Sequence, residues 1–99
     1  MAEGRSKPVP DAPTALRAQG EEGRIRLVWD PPPQPDVVSY NVWSKRLLGW
    51  NLIGTTDRTD YLFDAADVSK KLTVAVTAID NDKLESTKSA PIPVQAGNP

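Results

Sequence analysis

The chain has 99 residues, 38% hydrophobic and 25% charged, enough for one small domain with a single core and too few for two. It contains no cysteine and no histidine, which excludes disulfides, thiol nucleophiles, cysteine-ligated metals and the usual general base near neutral pH. Twelve Lys+Arg against thirteen Asp+Glu leave a net charge of −1, without the basic excess expected of a nucleic-acid module.

Residues 1–11 combine prolines, small residues and charges. They lack the apolar run of a signal peptide and read as a flexible linker. The domain is expected over 12–95, with 96–99 as a second linker, as in a module of a longer chain. Ten prolines, about twice the usual ~5%, favour loops and edges over helices. No apolar run is long enough to span a bilayer as a helix.

Between the linkers the apolar signal has a period of two, the mark of half-buried strands. A first short strand is expected over 14–18. Over 24–29, Ile25, Leu27 and Trp29 share one face and Arg24 and Arg26 the other, which predicts a core position for Trp29. Over 37–43 the alternation places Val38, Tyr40 and Val42 inward and Trp43 outward. Short strands over 50–53 and 59–63 follow. Residues 64–71 are the only stretch with helical propensity. Leu72, Val74, Val76 and Ala78 line one face of the next strand, and a last strand spans 90–94. Its two prolines, Pro91 and Pro93, cannot donate to a ladder, which marks it as an edge. Breakers separate these runs at 21–23, 30–36, 48–49, 54–57 and 80–83. Seven short strands at this spacing imply an all-β antiparallel sandwich or barrel.

The order of motifs is more specific. Pro-Thr-Ala-Leu-Arg-Ala at 13–18 opens the domain, and Arg-Leu-Val-Trp-Asp-Pro-Pro at 26–32 ends the second strand on a tryptophan followed by prolines. Ser-Tyr-Asn-Val-Trp at 39–43, Thr-Asp-Tyr at 59–61, Val-Thr-Ala-Ile-Asp at 76–80 and Lys-Leu-Glu-Ser at 83–86 follow. Over residues 11–95 the sequence resembles a fibronectin type III domain, and the bacterial branch more than the animal one. The resemblance implies a seven-stranded immunoglobulin-like β-sandwich, with the sixth strand beside the third. It also implies an extracytoplasmic setting, secreted or at the cell surface. Two departures stand out. The family usually has a tyrosine where this chain has Leu72, which lacks the hydroxyl that ties the connection between the two sheets to backbone. The leucine of the preceding corner falls near Ala66 or Val68, both smaller. The Arg-Gly-Asp tripeptide of some members is absent.

Candidate chemistry is sparse. Asp57, Asp60, Asp64 and Asp67 sit on turns and strand ends, where Asp serves local hydrogen bonds. They make a poor general acid–base pair, because a small sandwich offers no deep cleft for one. Residues 80–85 place oxygen ligands at alternating positions but lack the glycine and remaining ligands of a calcium loop. Residues 31–35 contain a PxxP pattern, read here as a stiffened loop rather than an SH3 ligand. No catalytic, cofactor-binding or metal-ligating residues are assigned.

One face remains. Trp43 faces outward beside Asn41, and the family topology would place Thr73, Ala75 and Thr77 of the sixth strand next to it, with Trp50 on the adjoining strand. This face looks poor in charge and carries indoles, as interface cores do. Its partner is expected to be a neighbouring domain, another protein or a polysaccharide, held by an interaction insensitive to salt. The sequence predicts a monomeric, non-catalytic spacer or interaction module of a larger extracytoplasmic protein. The alternative is a carbohydrate-binding accessory module of a secreted hydrolase.

Overall fold

The structure, a computed structural model, describes residues 7–46, 49–64 and 72–94. The described residues form seven strands: β1 (Thr14–Glu21), β2 (Arg24–Asp30), β3 (Val37–Arg46), β4 (Gly49–Thr56), β5 (Asp60–Asp64), β6 (Leu72–Asp80) and β7 (Ile92–Val94). They make two antiparallel sheets, one of three strands in the order β1-β2-β5 and one of four in the order β4-β3-β6-β7. Both the corner near Ala66 and Val68 and most of the helix-prone stretch at 64–71 lie outside the described residues.

The core lies between the sheets and is built from the alternation visible in the sequence. β2 contributes Ile25, Leu27 and Trp29, β3 contributes Tyr40 and Val42, and β6 contributes Leu72, Val74, Val76 and Ala78. Val94 of β7 closes one edge. Each large apolar side chain so buried is worth roughly 1.5–3 kcal/mol. Trp29 is 1% exposed. Its ring meets Tyr40 of the opposite sheet edge-on, with centroids 5.4 Å apart and planes at 65°. Aromatic quadrupoles favour that arrangement over face-to-face stacking.

Val38 departs from the predicted phase. It is 52% exposed, while Val37 packs against the core. The register of β3 against β6 shifts between Val37 and Ser39, so Val38 is the extra residue of a β-bulge. One inserted residue reverses the facing of everything before it. After the bulge the alternation resumes, and Tyr40 and Val42 point inward as expected.

A hydrogen bond gives a second link between the sheets. Tyr61 of β5 donates its hydroxyl to the Ile53 carbonyl of β4 at 3.0 Å. Its ring lies directly over Gly54, where a Cβ would overlap the ring and the phenol oxygen. This close approach is what requires a glycine in mid-strand.

Residues 7–11, which composition alone places in the linker, are docked onto the domain. The Lys7 ammonium sits 2.5 Å from an Asp36 carboxylate oxygen, 2.7 Å from Asp82 and 3.4 Å from Asp80. The Asp11 N–H donates to Gln34 Oε1, and Pro10 and Pro13 are buried. Composition cannot reveal this, because the acceptors lie far along the chain.

Register fixes how the chain threads the sandwich. Thr14 pairs with Asp30, Val37 pairs with Asp80, and these residues share one end. Val94 pairs with Leu72, and Thr73 with Lys45 near the β3–β4 turn, at the opposite end. The chain therefore enters at one end and leaves at the other.

Candidate functional site

The outer face of the four-stranded sheet brings together the residues singled out by parity. Trp43 of β3 stands opposite Ala75 of β6 on one side and Leu52 of β4 on the other. Asn41 pairs with Thr77, and Lys45 pairs with both Thr73 and Trp50. Trp43 Nε1 donates to Thr77 Oγ1 at 3.0 Å. Since Thr77 lies two residues beyond Ala75, the indole lies across Ala75, which is wholly buried. Thr77 is buried too, at 2% exposed. These two residues support the face from beneath and offer no contact surface, contrary to the expectation from parity alone. Trp43, Trp50, Asn41 and Thr73 are half-buried.

A polar network fixes the indole. The Thr77 hydroxyl donates to Glu85 Oε2 at 2.5 Å, and Asn41 Nδ2 donates to the same oxygen at 3.2 Å. Thr55 Oγ1 donates in turn to Asn41 Oδ1 at 2.7 Å. With every member bonded, such a network holds its side chains in one arrangement.

The face is not poor in charge. The Lys88 ammonium lies 4.8 Å from the centroid of the Trp43 ring and 5.4 Å from that of Trp50. Lys45 Nζ lies 5.9 Å from the Trp50 centroid. Parity could have found Lys45, which shares the phase of Trp43 but falls beyond the strand end expected at residue 43. Lys88 had no such signal. It belongs to an irregular segment that runs beside β6 and is held by two serines. The Ser86 N–H donates to the Ala78 carbonyl while its Oγ accepts the Ala78 N–H, both at 2.8 Å. Ser89 treats Val76 in the same way, at 2.9 and 3.0 Å. Three residues here keep pace with two on β6, so no period of two survives.

The acidic positions serve structure. Asp60 pairs with Arg26 at 2.6 Å and with Arg58 at 3.3 Å, and Asp57 and Asp64 are exposed. Asp67 lies outside the described residues. In the 80–85 loop, Asp80 Oδ1 accepts the N–H groups of Asp82 and Leu84, both at 2.9 Å. Burial alone would push the Asp80 carboxyl up, but those two N–H groups and the Lys7 ammonium outweigh it and hold it below its usual value. Lys7 is raised above its ordinary value, chiefly by Asp36 and then Asp82. The oxygens that suggested a calcium loop are thus engaged by backbone N–H groups and an ammonium. Among the described residues, no group of three or more Asp or Glu could hold a metal ion.

No protein-family model matches the sequence, and no curated protein matches it. Solved structures do. An Fn3-like protein from Clostridium thermocellum superposes with a TM-score of 0.71 at 26% identity, over 92% of this chain and 97% of that one. The titin kinase with its flanking domains gives 0.74 at 22% identity over 87% of this chain, and a β-1,2-glucanase from Parabacteroides distasonis gives 0.73 at 22% over 92%. This chain spans only 17% and 14% of those two longer proteins. Strand order, the closing tryptophan of β2 and these superpositions agree that the chain has the fibronectin type III fold.

Proposed function

We propose that the chain is a non-catalytic spacer and interaction module of a larger, extracytoplasmic protein. One observation carries the reading: the polypeptide enters the sandwich beside Thr14 and leaves it beside Val94, at opposite ends. A domain so threaded sets its neighbours in line. The anchored Lys7 supports this, because it ties the entering segment to Asp36 and Asp82 and so limits the swing of whatever precedes. Support also comes from the longer chains in which the similar structures occur. One is a spore cortex lytic enzyme from Clostridium perfringens, of which this chain spans 28%.

The carbohydrate-binding alternative needs open indole faces for sugar rings. Lys88 lies over both rings, which favours a protein partner instead. The spacer reading is tested by joining two copies through their own ends and measuring small-angle scattering. A maximum dimension approaching the sum of two domain lengths is expected. A compact, side-by-side pair overturns the reading. The setting is tested separately, by locating the parent protein in fractionated cells.

A further inference from the structure

The ion pairs among the described residues join charges within the domain. Lys7 meets three aspartates, Arg17 meets Asp30 at 3.5 Å, and Arg26 and Arg58 meet Asp60. Lys45 and Lys88 differ. Among the described residues neither has a carboxylate partner, and both lie over indoles. The result is a row, Lys45–Trp50–Lys88–Trp43, crossing the outer face of the four-stranded sheet. An indole face attracts a cation through its quadrupole but carries no net charge, so it brings no counter-charge to either ammonium. Beside the row stands Leu52, 52% exposed and opposite Trp43.

We propose that this row docks an acidic peptide segment of a partner protein, its carboxylates meeting Lys45 and Lys88 and a neighbouring apolar side chain covering Leu52. The inference rests on the interaction-module reading and names the partner's chemistry. Charge complementarity selects an anionic partner. The covered rings and the exposed leucine select a peptide over a sugar chain, which would need the ring faces that Lys88 occupies. The row is also prearranged. Trp43 is pinned by its bond to Thr77, and the rings confine the lysine chains before binding, so less conformational freedom remains to be lost. Glu85 sets a limit. Its carboxylate takes bonds from Thr77 and Asn41 on the same face and repels any acidic residue placed beyond Trp43.

The test is an NMR titration of the isotope-labelled chain with three probes: a peptide alternating Glu and Leu, the same peptide with Gln for Glu, and oligogalacturonate. The Glu–Leu peptide should shift the Trp43 and Trp50 indole N–H signals and the amides of Lys45, Leu52 and Lys88. Its affinity should fall steeply as salt is raised through the range where the Debye length shortens from about 30 to 3 Å. The double variant Lys45→Gln, Lys88→Gln should bind about tenfold more weakly, the scale of two exposed ion pairs lost. Its circular dichroism should match the parent's. The Gln peptide should not shift these signals. Shifts elsewhere, equal binding by the double variant, or no binding by the Glu–Leu peptide overturn the proposal. So does binding of oligogalacturonate in its place. The joined-copy scattering experiment is indifferent to these residues, so an extended pair with no peptide binding leaves the spacer reading standing and removes only this one.

Discussion

Replacing Trp29 separates two contributions that burial usually confounds. The side chain is 1% exposed and packs edge-on against Tyr40, yet its indole Nε1 has no hydrogen-bond partner among the described residues. Trp29→Ala removes the whole ring and leaves a cavity between the sheets, which costs about 3–5 kcal/mol. That is a large share of a domain stability on the order of 5–15 kcal/mol. Trp29→Phe keeps an aromatic ring against Tyr40. It forfeits roughly 40 Å² of apolar contact, about 1 kcal/mol at 25 cal/mol/Å², and a small residual cavity adds about 1 kcal/mol more. Against this, it removes a buried N–H that finds no acceptor, a burden of about 1–3 kcal/mol. The two sides nearly cancel, so Trp29→Phe should change stability by no more than about 1 kcal/mol. Urea unfolding followed by circular dichroism, with midpoint and slope both fitted, measures each change. A loss above about 3 kcal/mol for Trp29→Phe would mean that the indole N–H forms a real bond. A loss below about 1 kcal/mol for Trp29→Ala would remove Trp29 from the core, and the register of β2 with it.

Gly54→Ala should destabilise by more than the ~1 kcal/mol that helix and strand propensities span, because its methyl meets the Tyr61 ring; unfolding midpoints check this, and combining it with Tyr61→Ala should relieve much of the loss. Tyr61→Phe, which removes only the bond to the Ile53 carbonyl, should cost about 1 kcal/mol in the same assay. Stability should be level through neutral pH and fall on both sides. The lowered Asp80 carboxyl contributes fully above its unfolded value of ~3.9 and loses that contribution as pH drops through its folded value. The raised Lys7 contributes fully below ~10.4 and loses it as pH rises further, so Lys7→Met should flatten the alkaline limb in urea midpoints measured against pH. Pro91→Thr with Pro93→Thr should restore N–H donors at the edge strand β7 and just before it and promote association at high concentration, read by light scattering; an unchanged monomer would refute a protective role.

The sheet strands were legible because each buries one face, and a period of two follows wherever that holds. Ile25, Leu27 and Trp29 on β2, and Leu72, Val74, Val76 and Ala78 on β6, are inward as their alternation requires. Val38 was not, since a bulge inserts a residue without any mark in composition. The candidate face was half legible. Parity turned Trp43 outward, but it could not show that Ala75 and Thr77 lie beneath the indole. Lys88 escaped because serine hydroxyls substitute for a regular ladder beside β6, and hydroxyl bonding leaves no periodic trace. Lys7 escaped for a different reason. Its partner Asp82 lies 75 positions away, and only the folded sandwich brings the two together.

Threading from end to end also decides how the domain bears tension. A pull applied at Thr14 and Val94 runs along the strands, so the β1–β2 and β6–β7 ladders are sheared with all their bonds loaded together. The two ladders are unequal. β1 matches β2 at six positions, whereas β7 matches β6 at three. The weak seam is therefore at the exit side. Under load the β6–β7 ladder should shear first and draw Ile92 and Val94 out of the interior, while β2, β3 and β6 stay packed around Trp29. The Lys45–Trp43 row rests on β3, β4 and Lys88, whose segment Ser86 and Ser89 tie to β6, so loss of β7 leaves the row assembled.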